Sequence, residues 1–536
     1  MLKTIISKEF LKNIPRLLKA GFSKESLKNA PRLLKATVAK ELLKICHTLR
    51  LLKVISAREF LNNLLNLRFI MGLLLCVVIT VACMAILAHD YRQELADYDD
   101  RVNMQDDFLS NYATHGALFW TNRHPKPPER FRPLIMGTVR DNALASFDAN
   151  PLPILFPYLD FLFIVTIVMS LLALLFSYDA VTGERQRGTL RQVISNSISR
   201  TTILCGKFIG GTASLLIPFI LALLVGVLYI NLDPTIQWDG SAWAELGLLT
   251  AASITFVTLF YLLGLMVSTL SRYSAVSILN CLFLWVLLIL VIPNICPYVS
   301  AQIYRIPSIK ETERRNREIE RRSLELARKL QTEVIKEFRS KYGKLFAEWE
   351  SMKLAGVGDA GPEHRKAAQQ RAADPEFRAM IDAFREESSR ATRPAFRARG
   401  KEEKILWGDL ERKAAQQTKL ARYLACISPL ADFVYVARDL TGTGLRALKH
   451  FERVDGEYRG RVWKYADKKL EEGREKNPAF NRESFIDLSN RPRFAFKEEA
   501  LRDKLGAVLP YWGILVAFNV VFFVAAFAGF MRYDVR

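Results

Sequence analysis

The stretch Phe69-Ile-Met-Gly-Leu-Leu-Leu-Cys-Val-Val-Ile-Thr-Val-Ala-Cys-Met-Ala-Ile-Leu-Ala88 runs for twenty residues without a charge. About twenty apolar residues in a helix cross the ~30 Å of a bilayer's hydrocarbon core. Lipid cannot satisfy backbone polar groups, so such a span must be helical or belong to a closed barrel. Five more runs share the character: Phe161–Ser177 (within a span placed over 155–177), Phe208–Leu232, Leu246–Leu270, Ala275–Ile295 and Leu505–Met531. One such run is compatible with a buried helix of a soluble protein; six are not. The sequence therefore predicts an all-α membrane protein with six transmembrane helices.

The chain has 536 residues, 50% of them hydrophobic, and a formal net charge of +21. In a soluble protein that charge would suggest nucleic acid. Here it follows the spans. Residues 1–68 hold fifteen Lys/Arg against four Glu, and the 178–207 loop holds five basic residues against two acidic. The link between spans three and four, Asp233–Ser241, has no Lys or Arg. The positive-inside rule then puts both termini and the 178–207 loop in the cytoplasm. Residues 89–154 and 297–504 fall outside; the second is basic, near +12, but too long for charge to govern its translocation. No nucleic-acid partner is expected, and the lipid bilayer is. Phe69–Ala88 follows a long basic segment with no cleavage site, so it reads as a retained signal anchor.

Residues 1–55 form a repeated basic arm. Ser7-Lys-Glu-Phe-Leu-Lys-Asn-Ile-Pro-Arg-Leu-Leu-Lys-Ala20 recurs as Ser23-Lys-Glu-Ser-Leu-Lys-Asn-Ala-Pro-Arg-Leu-Leu-Lys-Ala36, and weaker copies begin near Ala39 and Ala57. Short basic amphipathic helices of this kind suit an anionic leaflet; a partner-docking arm and a duplication of little function are the alternatives. Residues 56–68 read as an elbow helix leading into span one. Ser56-Ala-Arg-Glu59 has the form of a capping box, and Phe60, Leu61, Leu64 and Leu65 form an apolar stripe.

In residues 297–504, Ile319, Leu326, Leu330, Val334, Phe338, Leu345 and Trp349 lie four or seven apart, one face of a helix. A Gly-rich break at Leu354–Pro362 and a second helical stretch from Pro375 to Leu424 complete an extracytoplasmic helical insertion, a hairpin or coiled-coil-like pair. Ile427–Gly444 reads as an amphipathic helix returning to the outer membrane surface, and Thr441-Gly-Thr-Gly444 as a turn. Cys296 and Cys426 both fall outside by this layout, with free thiols favoured over a pair.

The motifs of enzyme chemistry do not occur. There is no GxxxxGK[ST], so the chain is not expected to hydrolyse ATP itself, and no HExxH or GxSxG. The six His show no metal spacing, so no metal site and no catalytic residue is expected. What stands out is the loop itself: Asp179, then Gly183-Glu-Arg-Gln-Arg-Gly-Thr-Leu190, then Ser199-Arg200, then Gly206-Lys207 entering span three. Thr189 is placed to cap a short helix from Leu190. Lys207 and Arg200 suit snorkelling to headgroups.

This order and spacing resemble the hallmark of the ABC type-2 permeases, the membrane subunits of ABC exporters. Within that family the chain is most similar to the permeases of nitrous-oxide-reductase maturation and of gliding motility. The similarity covers roughly residues 56–295 and 505–536. It implies a bacterial inner-membrane permease that binds no cofactor itself, with ATP and magnesium held by a partner ATPase subunit. It also implies a second permease copy or homologue, and a coupling helix in the 178–207 loop. Asp179, Glu184, Arg185, Arg187, Gly188, Thr189, Leu190 and Arg200 become the candidate ATPase-coupling residues. Asp160, Asn280 and Asn519 are candidates for a substrate path, with packing the favoured role of the two Asn. A machine that acts mechanically on a periplasmic partner, without transport, is the alternative.

Overall fold

A computed structural model describes residues 32–121, 124–137, 159–195, 198–236, 238–355, 374–477, 480 and 482–532. The first long repeat, most of the second, the start of the predicted second span, most of the Gly-rich break and the last four residues lie outside this set. The described chain is helical, with one isolated bridge between Thr114 and Phe485. Six helices are long and apolar enough to cross a membrane, as the apolar runs predict.

We number the helices α1 Arg32–Leu64, α2 Leu67–Asn111 and α3 His115–Trp120. The second span, α4, joins Phe161–Phe163, a π-helical stretch Ile164–Met169 and Ser170–Ser177. Then follow α5 Thr182–Gln186, α6 Thr189–Ser195, α7 Arg200–Asn231 and α8 Gly240–Leu270. The fifth span, α9, joins Ser274–Trp285, the π-helical Val286–Val291 and Ile292–Ile303. The remainder are α10 Ile309–Ala355, α11 Pro375–Ala425, α12 Pro429–Leu440, α13 Leu445–Lys476 and α14 Leu501–Met531. The spans are α2, α4, α7, α8, α9 and α14.

The chain divides into two compact units: residues 1–293 with 426–536, and residues 294–425. In the first, α7 rests on α1 and α2, while α8 packs against α4 and α14. Its core is almost wholly aliphatic and aromatic, with Phe219, Phe256, Phe260 and Tyr261 fully buried. Trp285 donates its indole N–H to Ser170 Oγ at 2.8 Å, tying span five to span two where both depart from α-helical geometry. In the second unit α10 and α11 run antiparallel. Val334, Phe338 and Phe346 of α10 interleave with Phe377, Met380 and Phe384 of α11, and Arg399 meets Glu320 at 3.2 Å further along. Most of the apolar stripe of α10 thus has its cover, with Leu326 left exposed.

Three local features differ from the sequence reading. Helix α2 does not end with the apolar run but continues to Asn111. Ser56 does not start a helix: it lies within the continuous α1, so no free N–H groups remain for a capping box. Helix α12 is not a surface helix. It packs between α8 and α14 with Ala431, Asp432, Phe433, Val436, Ala437 and Leu440 buried, and the Phe433 ring stacks on Phe256 at 4.7 Å. Thr441-Gly-Thr-Gly444 ends it in a turn, with Gly442 at φ +70°.

Candidate functional site

The loop between spans two and three folds into two short helices, α5 and α6. At Tyr178 the α4 helix ends, and α5 begins four residues later. Its first free N–H groups are capped from another span: Ser268 Oγ on α8 accepts from Val181 N and Thr182 N, both at 3.1 Å. Ser277 Oγ on α9 donates to the Tyr178 carbonyl at 2.7 Å, and Ser274 Oγ donates to Gln186 Oε1 at 2.8 Å. Arg185 reaches the Ser271 carbonyl at 3.4 Å. Arg68, in the first turn of α2, pairs with Asp179 at 3.2 Å and donates to the Tyr178 hydroxyl at 2.9 Å. The base of the loop is therefore tied to α2, α8 and α9.

Between α5 and α6 the chain reverses at Gly188, whose φ of +73° lies in the left-handed region that disfavours any side chain. Thr189 turns its hydroxyl back to the Glu184 carbonyl at 3.3 Å, so it closes the turn and itself begins α6. Leu190 is fully buried and anchors α6. Ser199 caps α7, accepting from Thr202 N at 3.1 Å. Arg200 donates to the Met531 carbonyl at the end of α14, 2.7 Å away. Gln186, Arg187, Gly188, Thr189, Arg191 and Gln192 remain exposed at the tip.

Lys207 does not snorkel. It is buried, and its ammonium lies 2.8 Å from Glu184 Oε1 and 3.4 Å from Glu59 Oε2. Tyr261 donates its phenol O–H to the Lys207 carbonyl at 3.0 Å. A buried ammonium must find compensating partners, and two carboxylates within reach outweigh a climb to the headgroups.

Of the eight candidate coupling residues, Asp179, Glu184, Arg185 and Arg200 point to partners within the chain and Leu190 is buried. Arg187, Gly188 and Thr189 sit at the exposed tip, where Arg187 Nε donates to the Gly183 carbonyl at 3.2 Å. The three candidate path residues occupy separate environments. Asp160 is buried and caps α4: its carboxylate accepts from Phe163 N at 2.9 Å and Met136 N at 3.2 Å. Asn519 donates to the Thr255 carbonyl at 3.1 Å, joining spans six and four. Asn280 is exposed and lines a crevice of about 570 Å³ with Arg272, Tyr273, Val276, Phe283 and Leu284.

Sequence reasoning missed Arg68, Glu59, Tyr261 and the serines. The serines carried a signal: Ser268, Ser271, Ser274 and Ser277 recur every third residue across the span four to span five link. Among the described residues no cluster of His, Cys, Asp and Glu fits a metal ion.

The model for a family described as "ABC-2 family transporter protein" matches residues 53–535. One curated relative, the "Probable ABC transporter permease protein NosY" of Stutzerimonas stutzeri, is 37% identical over 101 residues. That stretch is 19% of this chain and 34% of the relative, so the match spans about a third of the relative's length.

Proposed function

From a chain that belongs to the ABC-2 family of transporter proteins, and so is a membrane subunit of an ABC transporter, we propose an exporter permease driven by a separate ATPase subunit docking at the 186–192 tip. The observation that carries this reading is the division of the loop. Its base is hydrogen-bonded to three spans, Leu190 anchors its second helix in the core, and Arg187, Gly188, Thr189 and Gln192 are exposed at its tip. A docking element needs both: an accessible contact surface and a stiff connection to the parts it moves. ATP and magnesium belong to the ATPase, and a second permease copy completes the complex. The tip, both termini and the arm face the cytoplasm, in the inner membrane of a bacterium. The 294–425 hairpin is the element available to a substrate or a periplasmic partner.

The test is co-purification of the ATPase subunit that accompanies the wild-type chain. Arg187→Glu/Arg191→Glu reverses two exposed charges at the tip and leaves the Arg68, Ser268 and Ser277 side chains that hold the base in place. Capture of the ATPase is expected to fall at least tenfold while the thermal midpoint of the permease stays within a degree or two. Undiminished capture would remove the tip as the docking surface.

A further inference from the structure

The arm before span one is not required by the docking reading, yet the structure ties it to the loop through one buried side chain. Lys207 is 3% exposed and holds Glu184 of α5 at 2.8 Å and Glu59 of α1 at 3.4 Å. We infer that Lys207 is a positioning residue that makes α1 move with the α5–α6 loop, so that the arm is a second output of the ATPase stroke. This rests on the reading of the tip as the ATPase dock.

Three features make the link stiff. First, α1 lies directly on α7. A Cβ added at Gly206 would come within 2.6 Å of Ile55 Cγ2, and one at Gly210 would collide with the Ser56 carbonyl. Small residues spaced four apart let two helices approach to backbone contact. Second, Asn63 donates to Ser214 Oγ at 3.0 Å one turn beyond Glu59, a further joint along the same face. Third, the face of α1 turned to span three carries Ser56, Glu59 and Asn63 together with Ile55 and Leu64, so polar contacts and apolar packing hold the same face.

The ammonium is shared, and that sharing is what couples the parts. Removing an ion from water costs several kcal/mol unless it is paired. Displacing Glu184 with the loop therefore costs less if Lys207 and Glu59 go with it than if the ammonium is left with one partner. Helix α1 runs 33 residues, about 50 Å at 1.5 Å per residue. A small rotation at Glu59 thus becomes a larger sweep at its Arg32 end.

The experiment uses the full chain with its ATPase in lipid nanodiscs. Nitroxide amino acids are incorporated by codon suppression, which spares the seven native cysteines. One pair reports the loop, Gln192 against Leu228; a second reports the arm, Arg50 against Leu228. All three positions are exposed. Distances are measured by pulsed electron spin resonance without nucleotide and after trapping with ATP and vanadate. Both pairs are expected to shift in the wild type. In Lys207→Met the loop shift persists and the arm shift is at least halved, and Lys207→Arg restores it. Glu59→Gln, which leaves Lys207 its Glu184 partner, gives the same loss and serves if Lys207→Met does not fold. A moving loop with a static arm in the wild type, or an undiminished arm shift in both variants, overturns the inference alone. A loop that does not shift in the wild type overturns the docking reading, and this inference with it.

Discussion

Lys504 and Glu245 form an ion pair at 2.7 Å between the first turn of span six and the second turn of span four, with side chains 3% and 2% exposed. Glu498 stands 3.6 Å from the same ammonium, and Arg130 bridges Glu498 to Asp239 at 2.7 Å on each side. Deleting one partner of a buried pair leaves an uncompensated charge, which costs about 3–5 kcal/mol, whereas removing both is often near neutral. Lys504→Met is therefore expected to lower the thermal midpoint sharply, and Lys504→Met/Glu245→Leu to recover most of the loss. A double variant as unstable as the sum of the two single ones would show that the pair acts independently and is not the joint between these spans.

Gly211 is fixed by Tyr261. A Cβ at that position would overlap the phenol hydroxyl, and Tyr261 is fully buried with its O–H committed to the Lys207 carbonyl. Overpacking of this kind costs about 1–3 kcal/mol. Gly211→Ala is expected to destabilise by that amount, and Tyr261→Leu in the same chain to relieve part of it. The sign of the coupling in the double-mutant cycle decides the matter: strict additivity would mean the two side chains do not compete for space.

At Gly188 the backbone alone sets the requirement, because no atom lies within 4 Å of an added Cβ but φ is +73°. A left-handed conformation costs a non-glycine residue about 1–2 kcal/mol, least for Asn. Gly188→Val is expected to reduce stability by that order and Gly188→Asn by clearly less. Equal midpoints for Val and Asn would mean that the turn opens rather than holds its geometry.

The six spans were legible because twenty uncharged residues admit few structures in any context. The loop was legible from the order of its residues, but the direction in which each side chain points was not. Glu59 read as the second half of a capping box, since Ser56 stands three residues before it; its actual partner is Lys207, 148 positions away. Lys207 read as a headgroup anchor because nothing near it in sequence offers a carboxylate at the right depth. Helix α12 read as an amphipathic helix at the membrane surface because the Ile427–Gly444 stretch is more apolar than its surroundings. The structure buries Asp432 and half-buries Arg438, and the carboxylate of Asp160 favours the Arg438 charge there. Local pattern fixes which helix forms; long-range charge pairing decides which face turns inward. The serines at 268, 274 and 277 are the exception: a local repeat announces one long-range cap, from Ser268, and two further side-chain ties to the loop.

His124 gives a pH prediction. Its ring stacks on Phe494 at 4.5 Å and meets Tyr458 edge-on at 4.9 Å. Its Nε2 is buried without a hydrogen-bond partner. Burial pushes the imidazole below its ordinary range; Asp455 and Asp106 oppose that shift and Arg491 adds to it. The unfolded chain then binds a proton at a higher pH than the folded one does, so stability is full above the ordinary histidine pKa of about 6.5 and falls as pH drops through it. Thermal midpoints are expected to decline from pH 7.5 to 5.5, and His124→Phe, which keeps the stacking, to flatten that part of the decline. A slope unchanged by His124→Phe would place the titrating group elsewhere.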